Sequence, residues 1–127
     1  MKVWGVSEAE IRAAVSEAGL EVYNEWGDRS GITKDGNALR FRLKVDPTKP
    51  RNEEGLLPFQ ARGRSWGDRR GRRLPSVTWE GHREFMRILF RDHPDARLKS
   101  AIADYKGRDD FWVKHPETKG KWSGPGY

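Results

Sequence analysis

At 127 residues, with 35% of them hydrophobic and 35% charged, the chain suits a single domain with a modest core. The lack of cysteine excludes disulfides, thiolate nucleophiles and every cysteine-ligated zinc or iron–sulfur site, and no apolar run is long enough for a membrane helix. Leu, Ile, Val and Phe number only 24 against a formal net charge of +6, a balance close to that of disordered chains, while six tryptophans favour packing. A small core accompanied by unstructured segments is therefore expected.

Lys2 to Val6 is a short β-prone stretch leading into a helix predicted over 7–18. Ser7 with Glu10 has the spacing of a capping box, Val6 and Ile11 that of a hydrophobic staple, and Ile11, Ala14, Val15 and Ala18 form one apolar stripe before Gly19. Leu20, Val22 and Trp26 alternate as in a strand. After a turn-rich stretch, Leu39, Phe41, Leu43 and Val45 alternate with Arg40, Arg42 and Lys44, which predicts a strand with one buried and one basic face. Asp35-Gly36 is a hairpin signal whose connection reads as longer than two residues.

Pro47 and Pro50 close that strand, and residues 46–76 read as a long basic loop or arm with room for a short strand near Phe59 to Arg64. Ser76 or Thr78 caps a second helix, in which Trp79, His82 or Arg83, Met86 and Leu89, flanked by Phe85 and Phe90, make a broad apolar stripe. The helix must end at His93, which precedes Pro94. Ala96 to Tyr105 reads as a strand with Leu98 and Ile102 on one side and Arg97 and Lys99 on the other. Asp109 or Asp110 caps a short last helix that reaches Trp112 and is broken by Pro116.

The predicted class is therefore α+β, in the ferredoxin-like order βαββαβ, with an Arg-rich insertion before the second helix and a C-terminal extension. Residues 1–118 form the domain and 119–127 a flexible tail. The alternative drops the first strand and leaves a three-stranded α/β sandwich. In the ferredoxin-like order both helices cover one face of the sheet, and Arg40, Arg42, Lys44, Arg97 and Lys99 share the open one.

The charge is concentrated. Arg62, Arg64, Arg69, Arg70, Arg72 and Arg73 face a single acid, Asp68, so this stretch holds +5 of the net +6. Arginine forks match phosphate oxygens and each neutralised phosphate releases counterions, so such a run attracts polyanions. Trp66 inside the run is placed to stack on an unpaired base, and Trp122 is a second contact candidate. Trp4, Trp79, Phe85 and Phe90 are instead expected in the core.

Residues 79–111, W-E-G-H-R-E-F-M-R-I-L-F followed by P-D-A-R-L-K-S-A-I-A-D-Y-K-G-R-D-D-F, together with the opening K-V-W-G-V-S-E-A-E-I-R-A-A-V, resemble small uncharacterised proteins of actinobacterial phages. The two blocks cover a little under half of the chain. The resemblance implies a phage or bacterial cytoplasmic setting and brings no catalytic residue with it.

Enzyme signals are thin. Pro94-Asp95 with Asp104 and Lys106 spells the PD…DxK pattern of metal-dependent nucleases, with Glu84 as a further carboxylate. One continuous strand would hold Asp95 and Asp104 roughly 30 Å apart, too far to share an ion. Of the three histidines, His82, His93 and His115, the first two lack metal-pair spacing and read as structural, and G-R-S-W-G at Gly63 to Gly67 lacks the strand-to-helix context of a nucleophile elbow.

The expectation is thus a small cytoplasmic, non-enzymatic nucleic-acid-binding protein without cofactor or metal. Its contacts would be Arg62, Arg64, Trp66, Arg69, Arg70, Arg72 and Arg73 on the arm and Arg40, Arg42, Lys44, Arg97 and Lys99 on the sheet. The rival is a protein-interaction module that binds a host protein or assembles with itself, and a PD…DxK nuclease ranks third.

Overall fold

The computed structural model describes residues 1–24, 31–67 and 71–99. Among these the chain is α+β, with two helices and eight short strands. The first strand, β1 (Lys2–Trp4), alternates: Val3 is fully buried while Lys2 and Trp4 are half-buried on the other side. Helix α1 (Glu8–Glu17) begins where Ser7, in an extended conformation, accepts the Glu10 amide on its hydroxyl at 3.2 Å. Its apolar stripe, Ile11, Ala14 and Val15, is buried, and Gly19 follows its C-cap with φ +78°. The capping, the stripe and the stop all match the sequence expectation.

Strand β2 (Leu20–Val22) follows directly. The hairpin of β3 (Thr33–Asp35) and β4 (Ala38–Arg40) differs from expectation, because Asp35 pairs with Ala38 and only Gly36 and Asn37 connect the strands. Gly36 takes φ +63° at the first central position, where a tight two-residue hairpin turn requires glycine. The run expected as one strand from Leu39 is divided into β4 and β5 (Leu43–Val45), and the chain changes neighbour at the division. Phe41 is bonded to Met1 in both directions, its amide donating at 3.1 Å and its carbonyl accepting the Met1 amino group at 2.9 Å, whereas the Arg42 carbonyl accepts the Tyr23 amide at 2.8 Å. Asp46 closes β5 by accepting the Thr48 amide at 2.9 Å and its hydroxyl at 2.6 Å. Burial works to raise its carboxyl pKa, and the bonds from Thr48, together with Glu21 and the charge of Lys49, hold it below the ordinary value.

The stretch 46–76, expected as a long basic loop or arm with a short strand near Phe59 to Arg64, contains that strand as β6 (Gln60–Gly67), antiparallel to β7 (Arg73–Val77), with irregular pairing between Gln60 and Ser65. Helix α2 (Trp79–Asp92) is capped by Thr78, not Ser76, and ends at His93. The last described strand is β8 (Arg97–Lys99). The expected continuation of that strand to Tyr105, the last helix and the 119–127 tail lie outside the described residues.

The strand order is β3-β4-β1-β8 in a four-stranded antiparallel sheet, with β2–β5 and β6–β7 as separate pairs. The first strand therefore lies inside a sheet, which removes the three-stranded alternative. Val3, Leu20, Phe41, Leu43 and Leu98 share one core with Ile11 and Val15 of α1 and Phe85, Met86, Ile88 and Leu89 of α2. Phe85 meets Phe41 edge-on at 5.7 Å between ring centroids, and each such buried large side chain contributes about 1.5–3 kcal/mol. Arg91 ties the helix ends together, donating to both oxygens of Glu17 at 3.1 and 2.8 Å. None of the described helices is long and apolar enough to cross a membrane.

Candidate nucleic-acid interface

Strand parity assigns the sheet residues to two faces. Since Val3, Phe41, Leu43 and Leu98 enter the core, Lys2, Trp4, Arg40, Arg42, Lys44, Arg97 and Lys99 lie on the opposite, outer face. The register then sets them side by side. Lys2 pairs with Arg40 on one flank and Lys99 on the other, giving a row of three cations across adjacent strands, and Trp4 pairs with Arg97. The sheet part of the expected site is therefore assembled on one surface.

Asp35 tempers this row. Asp35 lies 2.8 Å from the Lys2 ammonium and 3.7 Å from the Arg40 guanidinium, and the Lys2 hydrogen bond, before its charge, holds the Asp35 carboxyl below its ordinary value. Lys44 is paired with Glu21 at 3.1 Å across the β2–β5 ladder. Arg40 keeps 57% of its side chain exposed, so that partnership is screened and weak.

Two aromatic–arginine pairs flank the cations. The Arg97 guanidinium sits 5.2 Å from the Trp4 ring centroid, and that of Arg42 sits 4.5 Å from the Trp66 centroid. Tyr23 meets Trp66 at 4.9 Å in a T-shaped arrangement. Trp66, expected to be available for stacking, is half-buried because Arg42 and Tyr23 hold it. It comes from the far end of β6, so this contact brings the hairpin against the sheet face.

On the hairpin, Arg62 and Arg64 are exposed on β6, Arg73 opens β7 and Arg72 is exposed just before it. Arg69 and Arg70 lie outside the described residues, as does Trp122. Arg62 forms an ion pair with Glu54, and Arg73 donates to the Ser65 hydroxyl at 2.8 Å, bracing the two strands. The base of the hairpin is locked to α2. The Thr78 amide donates to the Phe59 carbonyl at 2.9 Å, and a Cβ on Gly81 would come within 2.6 Å of Val77 and 2.8 Å of Phe59. Phe59 itself has φ +61°, a conformation costing a non-glycine residue about 1–3 kcal/mol that the surrounding packing sustains.

Of the described residues with catalytic potential, His82, His93 and Glu84 are engaged in structural contacts. His82 Nδ1 is 3.0 Å from the Thr78 carbonyl, and burial pushes its pKa down to about 4 against that favourable bond, so it is a neutral donor at pH 7. His93 Nδ1 lies 3.3 Å from Glu10, joining the end of α2 to the start of α1. The Glu84 carboxylate is gripped by Arg87, and Asp95 is exposed after α2. Asp104, Lys106 and His115 lie outside the described residues, among which no cluster of three or more histidines and acids could hold a metal ion.

The sequence reading missed three outer-face residues, Lys2, Trp4 and Tyr23. Trp4 was expected in the core, yet one step from the fully buried Val3 it falls on the other side. That signal was present in the alternation of Lys2-Val3-Trp4. Tyr23 had no such signal, since its role depends on a hairpin 43 residues further on. No family model, curated protein or solved structure matches the chain.

Proposed function

We propose that the protein binds nucleic acid without transforming it, gripping phosphates with the hairpin arginines and orienting the strand on the basic sheet face. The observation that carries this reading is the 4.5 Å contact between Arg42 and Trp66, which makes the Arg-rich hairpin and the Lys2–Arg40–Lys99 row one continuous cationic surface. Phosphate contacts supply affinity through counterion release, and fixed cations on strands supply register. Arg69 and Arg70 belong to the same run and add to its charge.

On architecture, the β8–β1–β4 and β5–β2 pairings support a ferredoxin-like arrangement whose third strand changes neighbour at Phe41–Arg42. The likeness of residues 79–111 to actinobacterial phage proteins supports a bacterial or phage-infected cytoplasm as the setting.

Fluorescence anisotropy with labelled DNA and RNA across ~50–300 mM salt tests the function. Sub-micromolar binding at low salt is expected, with log K falling steeply against log salt. Replacing Arg64, Arg72 and Arg73 with alanine is expected to reduce that slope by about one for each lost phosphate contact. An unchanged slope and affinity would remove the hairpin from the interface, and no binding at any salt would leave a protein partner as the reading to pursue.

A further inference from the structure

We infer that the outer sheet face takes a single-stranded rather than a double-stranded polynucleotide, with unpaired bases stacking at Trp4 and Trp66 on either side of the cation row. The inference rests on the nucleic-acid reading above and specifies which form is bound.

Three observations carry it. The first is the position of Trp4, a large indole on the face of β1 opposite the fully buried Val3, where solvation alone would be served by a polar residue. The second is that both tryptophans have the same companion: Arg97 lies 5.2 Å from one ring and Arg42 lies 4.5 Å from the other. A guanidinium on an indole can slide off to a phosphate and yield the ring face to an incoming base, because it is planar and weakly hydrated. Every base offers a π-face, so such platforms bind strands with little regard for sequence.

The third observation is spacing. Trp4 lies two residues from Lys2 along β1, and Arg42 lies two residues from Arg40 in the opposite direction along the sheet. At ~3.3 Å per residue each aromatic pair is displaced about 7 Å from the row, one on each side, which places the two platforms about 13 Å apart. That distance spans a few nucleotides of an open strand, with Lys2, Arg40 and Lys99 between the platforms to meet its phosphates.

A duplex does not fit this surface. Its bases are stacked on one another and cannot reach a tryptophan. Four strands at ~4.8 Å spacing are also about 14 Å across, wider than a major groove of ~12 Å that admits one helix or a two-stranded ribbon.

The test uses the full chain with labelled dT and U oligonucleotides of about 12 nucleotides and a duplex of equal length, the range in which single-strand sites of this size saturate. Binding of either single strand at least ~10-fold more tightly than the duplex is expected, accompanied by a change in tryptophan fluorescence. Trp4→Leu should weaken single-strand binding by about 5- to 100-fold and leave the salt slope unchanged, while Trp4→Phe recovers most of the loss. Circular dichroism melts of both variants establish that they fold, and Trp4→Phe keeps an aromatic surface should leucine fail there. Equal or tighter duplex binding, or single-strand affinity indifferent to Trp4→Leu, overturns the stacking inference while phosphate binding stands. Failure of all three probes to bind overturns both readings together.

Discussion

The molecule carries its positive charge in two ways. In the sheet row, three adjacent strands each contribute one cation, and the ladder sets them abreast: Lys2 between Arg40 and Lys99. On the hairpin, they come in rapid succession along the chain, on a two-stranded unit joined to the domain through Phe59, Val77 and Gly81. The first arrangement has low charge density within a ladder of paired strands, the second high density on a hairpin held at its base and at Trp66. In the proposed binding mode, affinity and geometry would come from different parts of one surface, joined where Trp66 meets Arg42.

Phe85→Ala would break the comparison most severely, because the helix that buries Phe85 against Phe41 supports both regions. A loss of about 3–5 kcal/mol is expected in chemical denaturation, with the sheet row and the hairpin anchor lost together. If binding at low salt survived this change at full strength, neither region would depend on the fold.

Acidification is expected to act next, and at the hairpin end. His82 has a folded pKa of about 4 against an ordinary 6.5, so between those values the unfolded chain binds a proton that the folded chain refuses. Stability therefore falls as the pH drops from 7 to 4, by up to about 3 kcal/mol. Urea midpoints at pH 7 and 4.5 should show the fall, and His82→Gln should remove most of it over that interval.

Gly81→Ala targets the hairpin anchor alone. The new methyl group would collide with Val77 and Phe59, and overpacking of this kind costs about 1–3 kcal/mol. Since the collision lies at the base of the hairpin, Trp66 should leave Arg42 and its fluorescence should change before global unfolding. A stable variant with unaltered tryptophan emission would show that the base has room to yield.

The smallest effect sharpens the sheet side. Asp35→Asn removes the acid that Lys2 and Arg40 share, so nucleic-acid binding should tighten by about two- to fivefold at low salt, with the gain vanishing at high salt. Weaker binding would mean that Asp35 chiefly holds Lys2 and Arg40 in place.

Much of this molecule was legible in its residues wherever neighbours along the chain decide the structure. The Ser7 cap, the stripe Ile11–Ala14–Val15, the stop at Gly19 and the end of α2 before Pro94 each depend on contacts within a few residues, and each stands as read. The alternation of Phe41, Leu43 and Val45 with Arg40, Arg42 and Lys44 likewise survives, although the strand is divided. The hairpin within 46–76 was not legible as such. Its strands hold Gly63 and Pro75, poor strand formers by propensity, and they pair where the domain grips their base and Arg73 bridges to Ser65.

The candidate site divides in the same way. Its arginines were evident as a density of charge, and the basic side of β4 and β5 as a period of two. Tertiary structure alone decided that Lys2, Arg40 and Lys99 stand abreast, that Asp35 tempers them, and that Trp66 returns to Arg42 and Tyr23. The physical reason is range. Helix caps and strand parity are set by the covalent chain and its nearest hydrogen bonds, whereas register between distant strands is set by how one shared core packs, a property of no single segment.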